Sequence, residues 1–365
     1  MAALIAKVRR AFHGGGGLGA ARYWNRNKVR ILTYHRFPSH LDSALRAQCD
    51  HIRKYYSVVS MDQVARWLRG DQTLPQNALA VTVDDGYRDA FTVAYPIFSE
   101  YEIPATVFLA TDFVDGKSWV WVNQVRWAVE NTPLDVIRIQ DFVGRELVAP
   151  VRSQTERDRC ALLLIEGAKE MSNEERTRVV ADLPELLQTR LPTEIPADYA
   201  PVSWEEVRQM ARAGMDFGAH TKTHVILSRV SGADGLREEI AGSKRRIEQE
   251  LGRAVPHFCY PNGQWIDIQW PAVNMVKEAG FQTAVTTMGG LNTRAIDPFL
   301  LKRIDVGPHL PELYFHECAA GIRDQLEHML RALRGRPAET PFQTMISGFE
   351  GREVTDESAA AGERT

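Results

Sequence analysis

The sequence has little cysteine and no long apolar run. Its four cysteines, Cys49, Cys160, Cys259 and Cys318, are scattered through 365 residues with no CxxC pair. That excludes a CxxC-based zinc or redox site and favours buried thiols over a disulfide framework. No stretch approaches the ~18 apolar residues of a membrane-spanning helix. The apolar run 2–6 is shorter than the ~7–15 residues of a signal-peptide core, and Lys7, Arg9 and Arg10 follow it where a signal would have them precede it. The expected location is therefore cytoplasmic, or peripheral to a membrane through a weak contact of residues 1–12 as a basic amphipathic helix. An excess of one charge is also lacking. A formal net charge of −3 gives no electrostatic basis for a nucleic-acid partner. There is no GxSxG, no HExxH and no GxxxxGK[ST], which removes the serine-hydrolase elbow, the zincin helix and the phosphate loop. Residues 14–19 are nearly all glycine, but no strand precedes them, and they read as a flexible linker.

What remains is an ordinary globular composition, 44% hydrophobic and 25% charged, enough for one large α/β domain or two smaller ones. The chain is organised around residues 78–89, ALAVTVDDGYRD. Residues 78–83 are small or β-branched and almost wholly apolar, the pattern of a short strand buried on both faces. Asp84 and Asp85 stand at its end, followed by Gly86. Two adjacent anions at the mouth of a buried strand repel each other unless a cation or a proton intervenes. Far along the chain, His220 and His224 follow another short apolar run, 215–219. One carboxylate and two imidazoles make a divalent-metal site with room for water. The other carboxylate is then free to act as a base.

Strand-like runs recur at 29–34, 105–110, 257–261, 283–287 and 300–306. Helical patterns lie between them, at 41–56, 61–68 (closed by Gly70), 90–101 (with Pro96 a kink), 234–251, 272–279 and 312–334. Ser203 and Glu206 have capping-box spacing at the head of a helix running to Gly214. Residues 118–200, with Trp119, Trp121 and Trp127 followed by helix-rich sequence from 155 to 191, read as a helical insertion. About seven strands alternating with helices fit a closed or nearly closed β/α barrel, whose chemistry sits at the C-terminal ends of the strands. His35, Asp84, Asp85, His220 and residues 261–263 each come directly after a strand-like run. The expected organisation is an arm and linker over 1–27, a barrel over 28–334 containing the insertion, and a polar disordered tail over 335–365.

Three motifs in this order, TVDDGYRD (82–89), HTKTH (220–224) and CYPNG (259–263), resemble those of the polysaccharide deacetylase family, carbohydrate esterase family 4, with its NodB-homology domain. The similarity extends to YHRF (34–37), IPATVFLA (103–110) and LKRIDV (301–306). The resemblance implies a distorted (β/α)7-8 barrel and metal-dependent removal of N- or O-acetyl groups from sugars. By motif, Asp84 is implied as general base, and Asp85, His220 and His224 as ligands of a divalent metal, usually Zn2+. A backbone N–H of the third motif, from Tyr260 or Asn262, is implied for the oxyanion, with Gly263 permitting close approach of the backbone. Two positions depart from the pattern. Cys259 stands where many members carry an arginine that orients the catalytic aspartate, and Arg303 on the last strand is expected to take that role. The usual late histidine is not evident, so His35 is the expected general acid, with His309 next. Trp119, Trp121 and Trp265 are candidates for stacking on sugar rings or for core packing. The expected substrate is an N-acetylated glycan, either a polysaccharide or a lipid-linked precursor. The alternatives are a related amide hydrolase such as a deformylase, and a non-catalytic carbohydrate-binding barrel.

Overall fold

A computed structural model describes residues 14–140, 146–323 and 326. The expectations for residues 1–12 and 335–365, and for the end of the last helix, lie outside these. Ten strands are described: β1 (Arg30–Tyr34), β2 (Ser57–Val58), β3 (Ala78–Val83), β4 (Ala105–Leu109), β5 (Val136–Gln140), β6 (Glu146–Pro150), β7 (Asp216–Ala219), β8 (His257–Cys259), β9 (Thr283–Gly289) and β10 (Leu301–Asp305). Seven of them run in the order β1-β10-β9-β8-β7-β4-β3, and β3 pairs back onto β1. Every one of these pairings is parallel, so the sheet closes on itself as a barrel flanked by helices. The short β2 pairs with the first two residues of β3.

Successive residues of a strand face opposite sides, and here the two sides are distinct. Ile31, Ala80, Phe108, Cys259, Val285 and Leu301 form one buried cluster with Met61 and Val64 of the helix Met61–Arg69. Leu32, Val81, Val107, Phe217, Phe258 and Ala284, one residue out of phase, belong to a larger cluster shared with the outer helices. The smaller cluster fills the barrel lumen. Gly218 on β7 is part of that filling: a Cβ there would lie 2.3 Å from the Phe108 ring. The inward phase continues toward the strands' C-terminal ends. Thr82 and Asp84 follow Ala80, His220 follows Gly218, and Arg303 follows Leu301. The polar side chains of the site are therefore the top layer of the same column whose lower layers are apolar. At the opposite end, the buried His257 donates from Nε2 to Asp62 Oδ1 of the Met61–Arg69 helix at 3.0 Å, and this fastens the floor.

The structure corrects three sequence expectations. The glycine-rich segment is not wholly a linker, because Gly17–Trp24 is helical. Helix formers after Gly16 overcome its glycines, and Asn25 and Arg30 then donate to the carbonyls of Ala320 and Ala319 at 3.1 and 2.7 Å, tying this end to the helix Glu312–Ala320. The 118–200 insertion is not all helical: β5 and β6 pair antiparallel within it. Each is five residues long, and β5 is interrupted by Arg138, too short a pattern to stand out from the surrounding helices. The third correction concerns the helix expected at 272–279, which begins earlier, at Trp265, and is broken at Gln269, where φ is 59°.

Two compact units emerge from the chain's contacts. One contains the barrel, and the other runs from Trp121 to Leu191 and includes Leu326. In the second unit the helices Trp121–Glu130, Gln154–Lys169 and Asn173–Leu186 accompany the hairpin. The buried Arg176 guanidinium lies over the Trp121 ring at 5.1 Å, so Trp121 is a packing residue. All four cysteines are buried and unbridged. No helix among the described residues is long and apolar enough to cross a membrane.

Candidate active site

Five strand ends supply the site. His35 follows β1, Asp84 and Asp85 follow β3, His220 follows β7, residues 260–263 follow β8, and Arg303 lies within β10. In a parallel barrel these ends meet on one face.

Asp84 is 1% exposed, and both of its oxygens are held by Arg303. Nη1 donates to Oδ1 at 2.7 Å and Nη2 to Oδ2 at 2.6 Å, the fork geometry that matches a carboxylate. Arg303 is itself fixed. Its Nε donates to the Thr286 carbonyl at 2.8 Å, Nη1 to Thr82 Oγ1 at 3.1 Å, and Nη2 lies 3.2 Å from Cys259 Sγ. The Cys259 thiol donates to Asp84 Oδ2 at 3.4 Å. Burial alone would raise the pKa of Asp84. The charge and hydrogen bonds of Arg303 outweigh it and hold the carboxyl at about 2. Asp84 is thus an anion at any ordinary pH.

Asp85 turns the other way. Its φ of 75° is left-handed, and the turn continues through Gly86 at φ 87°, where a Cβ would come within 2.9 Å of Leu109 Cδ2. Its Oδ1 lies 3.3 Å from His220 Nε2 and 3.2 Å from His224 Nε2. The ligand atoms of the three residues fall within 4.8 Å of one another. His220 Nδ1 is 2.8 Å from the Cys259 carbonyl, which can only accept, so Nδ1 carries the hydrogen. In the neutral ring, Nε2 then faces Asp85 Oδ1 with a lone pair, and two lone pairs at this distance repel. Asp85 Oδ1 is buried and has no hydrogen-bond partner among the described residues. An orphaned buried oxygen between two imidazole nitrogens, one of fixed tautomer, suits a divalent cation. Burial disfavours the charge on Asp85, but the two imidazoles prevail and hold its carboxyl well below the usual range.

The loop between the histidines is strained: Thr221 has φ 62° and His224 φ 57°. The Glu239 carboxylate accepts from its backbone, from Lys222 N at 2.9 Å and Thr223 N at 3.0 Å, and from Thr223 Oγ1 at 2.8 Å. Sequence reading missed Glu239. It looks like one more acid on a charged helix, and nothing in the sequence sets it apart.

The third motif resolves into two different backbone groups. Tyr260 N–H donates to the Val285 carbonyl at 3.2 Å as part of the sheet. Asn262, at φ 58°, has an N–H with no partner among the described residues. Gly263, at φ 68°, packs against the backbone of Thr287, where a Cβ would lie 2.7 Å from its nitrogen. His35 is half-exposed; its Nε2 is 3.6 Å from Asp84 Oδ2 and its Nδ1 3.8 Å from Asp305 Oδ1. It opens on a cavity of about 210 Å³ that His309 also lines. Trp119 packs against Tyr199, ring centroids 5.5 Å apart, while Trp265 is exposed and touches Trp270.

Comparison with known proteins places this geometry. The sequence matches the polysaccharide deacetylase family over residues 71–142 and 169–284. The chain belongs to that family. A 106-residue stretch, 26% of this chain, is 32% identical to the poly-beta-1,6-N-acetyl-D-glucosamine N-deacetylase of Escherichia coli (strain K12), of which it covers 16%. Among solved structures, the Streptococcus pyogenes deacetylase PplD in complex with acetate aligns with a TM-score of 0.51 at 17% identity, over 78% of this chain and 94% of that one. IcaB from Ammonifex degensii aligns with a TM-score of 0.50 at 16% identity, over 81% and 97%. These similarities show a shared fold.

Proposed function

We propose that the protein is a metal-dependent hydrolase that removes acetyl groups from N-acetylated sugars of a polysaccharide. The observation that carries this reading is the division of labour between adjacent aspartates. Asp85 faces two imidazoles with an orphaned oxygen, while Asp84, one residue earlier, is fully engaged by a guanidinium. A pure binding barrel has no use for a second carboxylate kept off the cation and held in place beside it. The identity shared with the E. coli poly-beta-1,6-N-acetyl-D-glucosamine N-deacetylase supports an N-acetylglucosamine polymer as substrate. A lipid-linked glycan precursor presents the same amide, and chain length would tell them apart.

Asp85, His220 and His224 would hold the metal. When bound, a divalent ion, zinc by the donor set of two imidazoles and a carboxylate, lowers the pKa of water and polarises a carbonyl. Arg303 fixes the Asp84 carboxylate and leaves Oδ1, which takes one guanidinium N–H, a further lone pair with which Asp84 receives the proton of the attacking water. Its low pKa makes it a weak base when alone, one suited to a water that is already acidified. The Asn262 N–H, uncommitted where that of Tyr260 is spent on the sheet, donates to the oxyanion. His35 supplies a proton to the departing amine, which leaves poorly as an anion. Its ring is half-exposed beside a small cavity and 3.6 Å from Asp84.

Acetate release from N-acetylglucosamine oligomers tests the reading. Release should stop on chelation and return on adding zinc. Release unaffected by a strong chelator would refute the metal-dependent reading.

A further inference from the structure

Among the described residues, Glu239 is the charged side chain that grips the metal-facing loop by its backbone. It stands in a π-turn, Glu238–Gly242, between the helices Ala233–Arg237 and Ser243–Leu251. The extra residue of a π-turn shifts the helix register locally. Leu236, Ile240 and Ile247 stay buried, while Glu239 is turned toward residues 222 and 223. One oxygen takes two successive backbone N–H groups and the other takes the Thr223 hydroxyl. Beside it a second strap crosses: Lys222 Nζ donates to Glu238 Oε1 at 2.8 Å. Gly242 leaves room for that strap, since a Cβ there would lie 2.9 Å from the Glu238 carboxyl and 3.0 Å from Lys222 Cδ.

The loop needs holding. Thr221 is β-branched in the left-handed region, and His224 is left-handed as well. Such residues persist only where surrounding contacts impose them. Among the described residues His224 has no hydrogen-bond partner at Nδ1, which is buried. The usual device that aims a ligating histidine, a partner on its other nitrogen, is therefore missing on this ring, whereas His220 has the Cys259 carbonyl. Fixing the backbone on the N-terminal side of His224 is the remaining way to aim it.

We propose that Glu239 is a positioning residue for the metal centre: by clamping the Lys222 and Thr223 amides it preassembles His224 against Asp85 before any ion binds. This rests on the metal reading above. It predicts that Glu239 sets metal affinity while leaving the Asp84–Arg303 pair untouched.

The test is zinc affinity of the full chain, measured by competition with a chromophoric chelator. Glu239→Ala should bind zinc about 10–100-fold more weakly, the usual effect of removing an outer partner of a metal site. Glu239→Gln keeps an oxygen for the two amides and should recover most of the loss. Glu238→Ala removes the neighbouring surface pair and should stay within about twofold, because exposed ion pairs contribute little. If Glu239→Ala does not fold, Thr223→Val carries the test; losing one hydrogen bond should weaken zinc about three- to tenfold. Wild-type affinity in Glu239→Ala, or in Thr223→Val where that variant carries the test, overturns the inference. A wild-type chain that binds no zinc overturns the metal reading and this inference with it.

Discussion

Arg303 and Asp84 lie 219 positions apart in sequence and meet in two parallel hydrogen bonds of 2.7 and 2.6 Å, both side chains buried. Arg303 reaches Asp84 from β10, across the top of the lumen, whereas Cys259 on β8 contributes a weaker thiol contact. One side chain has to neutralise, orient and desolvate the same carboxylate.

Arg303→Ala should therefore be costly in two ways. It strands a buried charge, so stability should fall by about 3–5 kcal/mol, as for other broken buried pairs. It also frees the Asp84 carboxyl to rise in pKa and to rotate, so turnover should fall even where the variant remains folded. Urea denaturation followed by acetate release below the unfolding transition separates the two. Arg303→Lys should recover part of the stability and little of the rate, since a point charge cannot reproduce the fork.

His35→Ala should reduce turnover by about 10²–10⁴-fold, the usual contribution of a general acid, and leave bound metal unchanged. Metal content and acetate release are measured on the same preparation. Loss of metal in this variant would make His35 a ligand and end its assignment as the acid.

Gly218→Ala should destabilise the barrel by about 1–3 kcal/mol, because the new methyl collides with the Phe108 ring in a filled lumen. Phe108→Leu in the same background should recover part of that loss, and thermal melts of the single and double variants test the coupling.

The protein should lose stability in mild acid through His51. This ring is buried, stacks on His316 with centroids 3.7 Å apart, and leaves Nε2 without a partner. Burial, aided by the neighbouring His316, Arg22 and Lys54, lowers its pKa from 6.5 to about 3. The unfolded chain takes up a proton near 6.5, and the folded one resists until about 3. The contribution is thus fully present above pH 6.5 and is lost as pH falls across that interval. His51→Phe should flatten the stability profile between those limits, and an unchanged slope would contradict the account.

The strand ends were legible because residues 78–83 and 105–109 are buried on both faces and are apolar but for one threonine each. The capping box at Ser203 was legible for a local reason, and both of its hydrogen bonds form. The choice between Tyr260 and Asn262 was not, because it turns on the register of β8 against β9, which commits one N–H and spares the other. Glu239 was hidden by the π-turn: a regular period of 3.6 residues gives no sign of where one extra residue is inserted. The β5–β6 hairpin, five residues a side, was lost among long helices.

The most direct test sets two neighbouring substitutions side by side, with zinc content and acetate release from N-acetylglucosamine oligomers measured on each. Asp85→Asn should lose the metal and the activity together. Asp84→Asn should keep zinc and lose acetate release. An Asp84→Asn protein that still releases acetate, or an Asp85→Asn protein that still holds zinc at wild-type affinity, would contradict the assignment of one aspartate to the ion and the other to the proton.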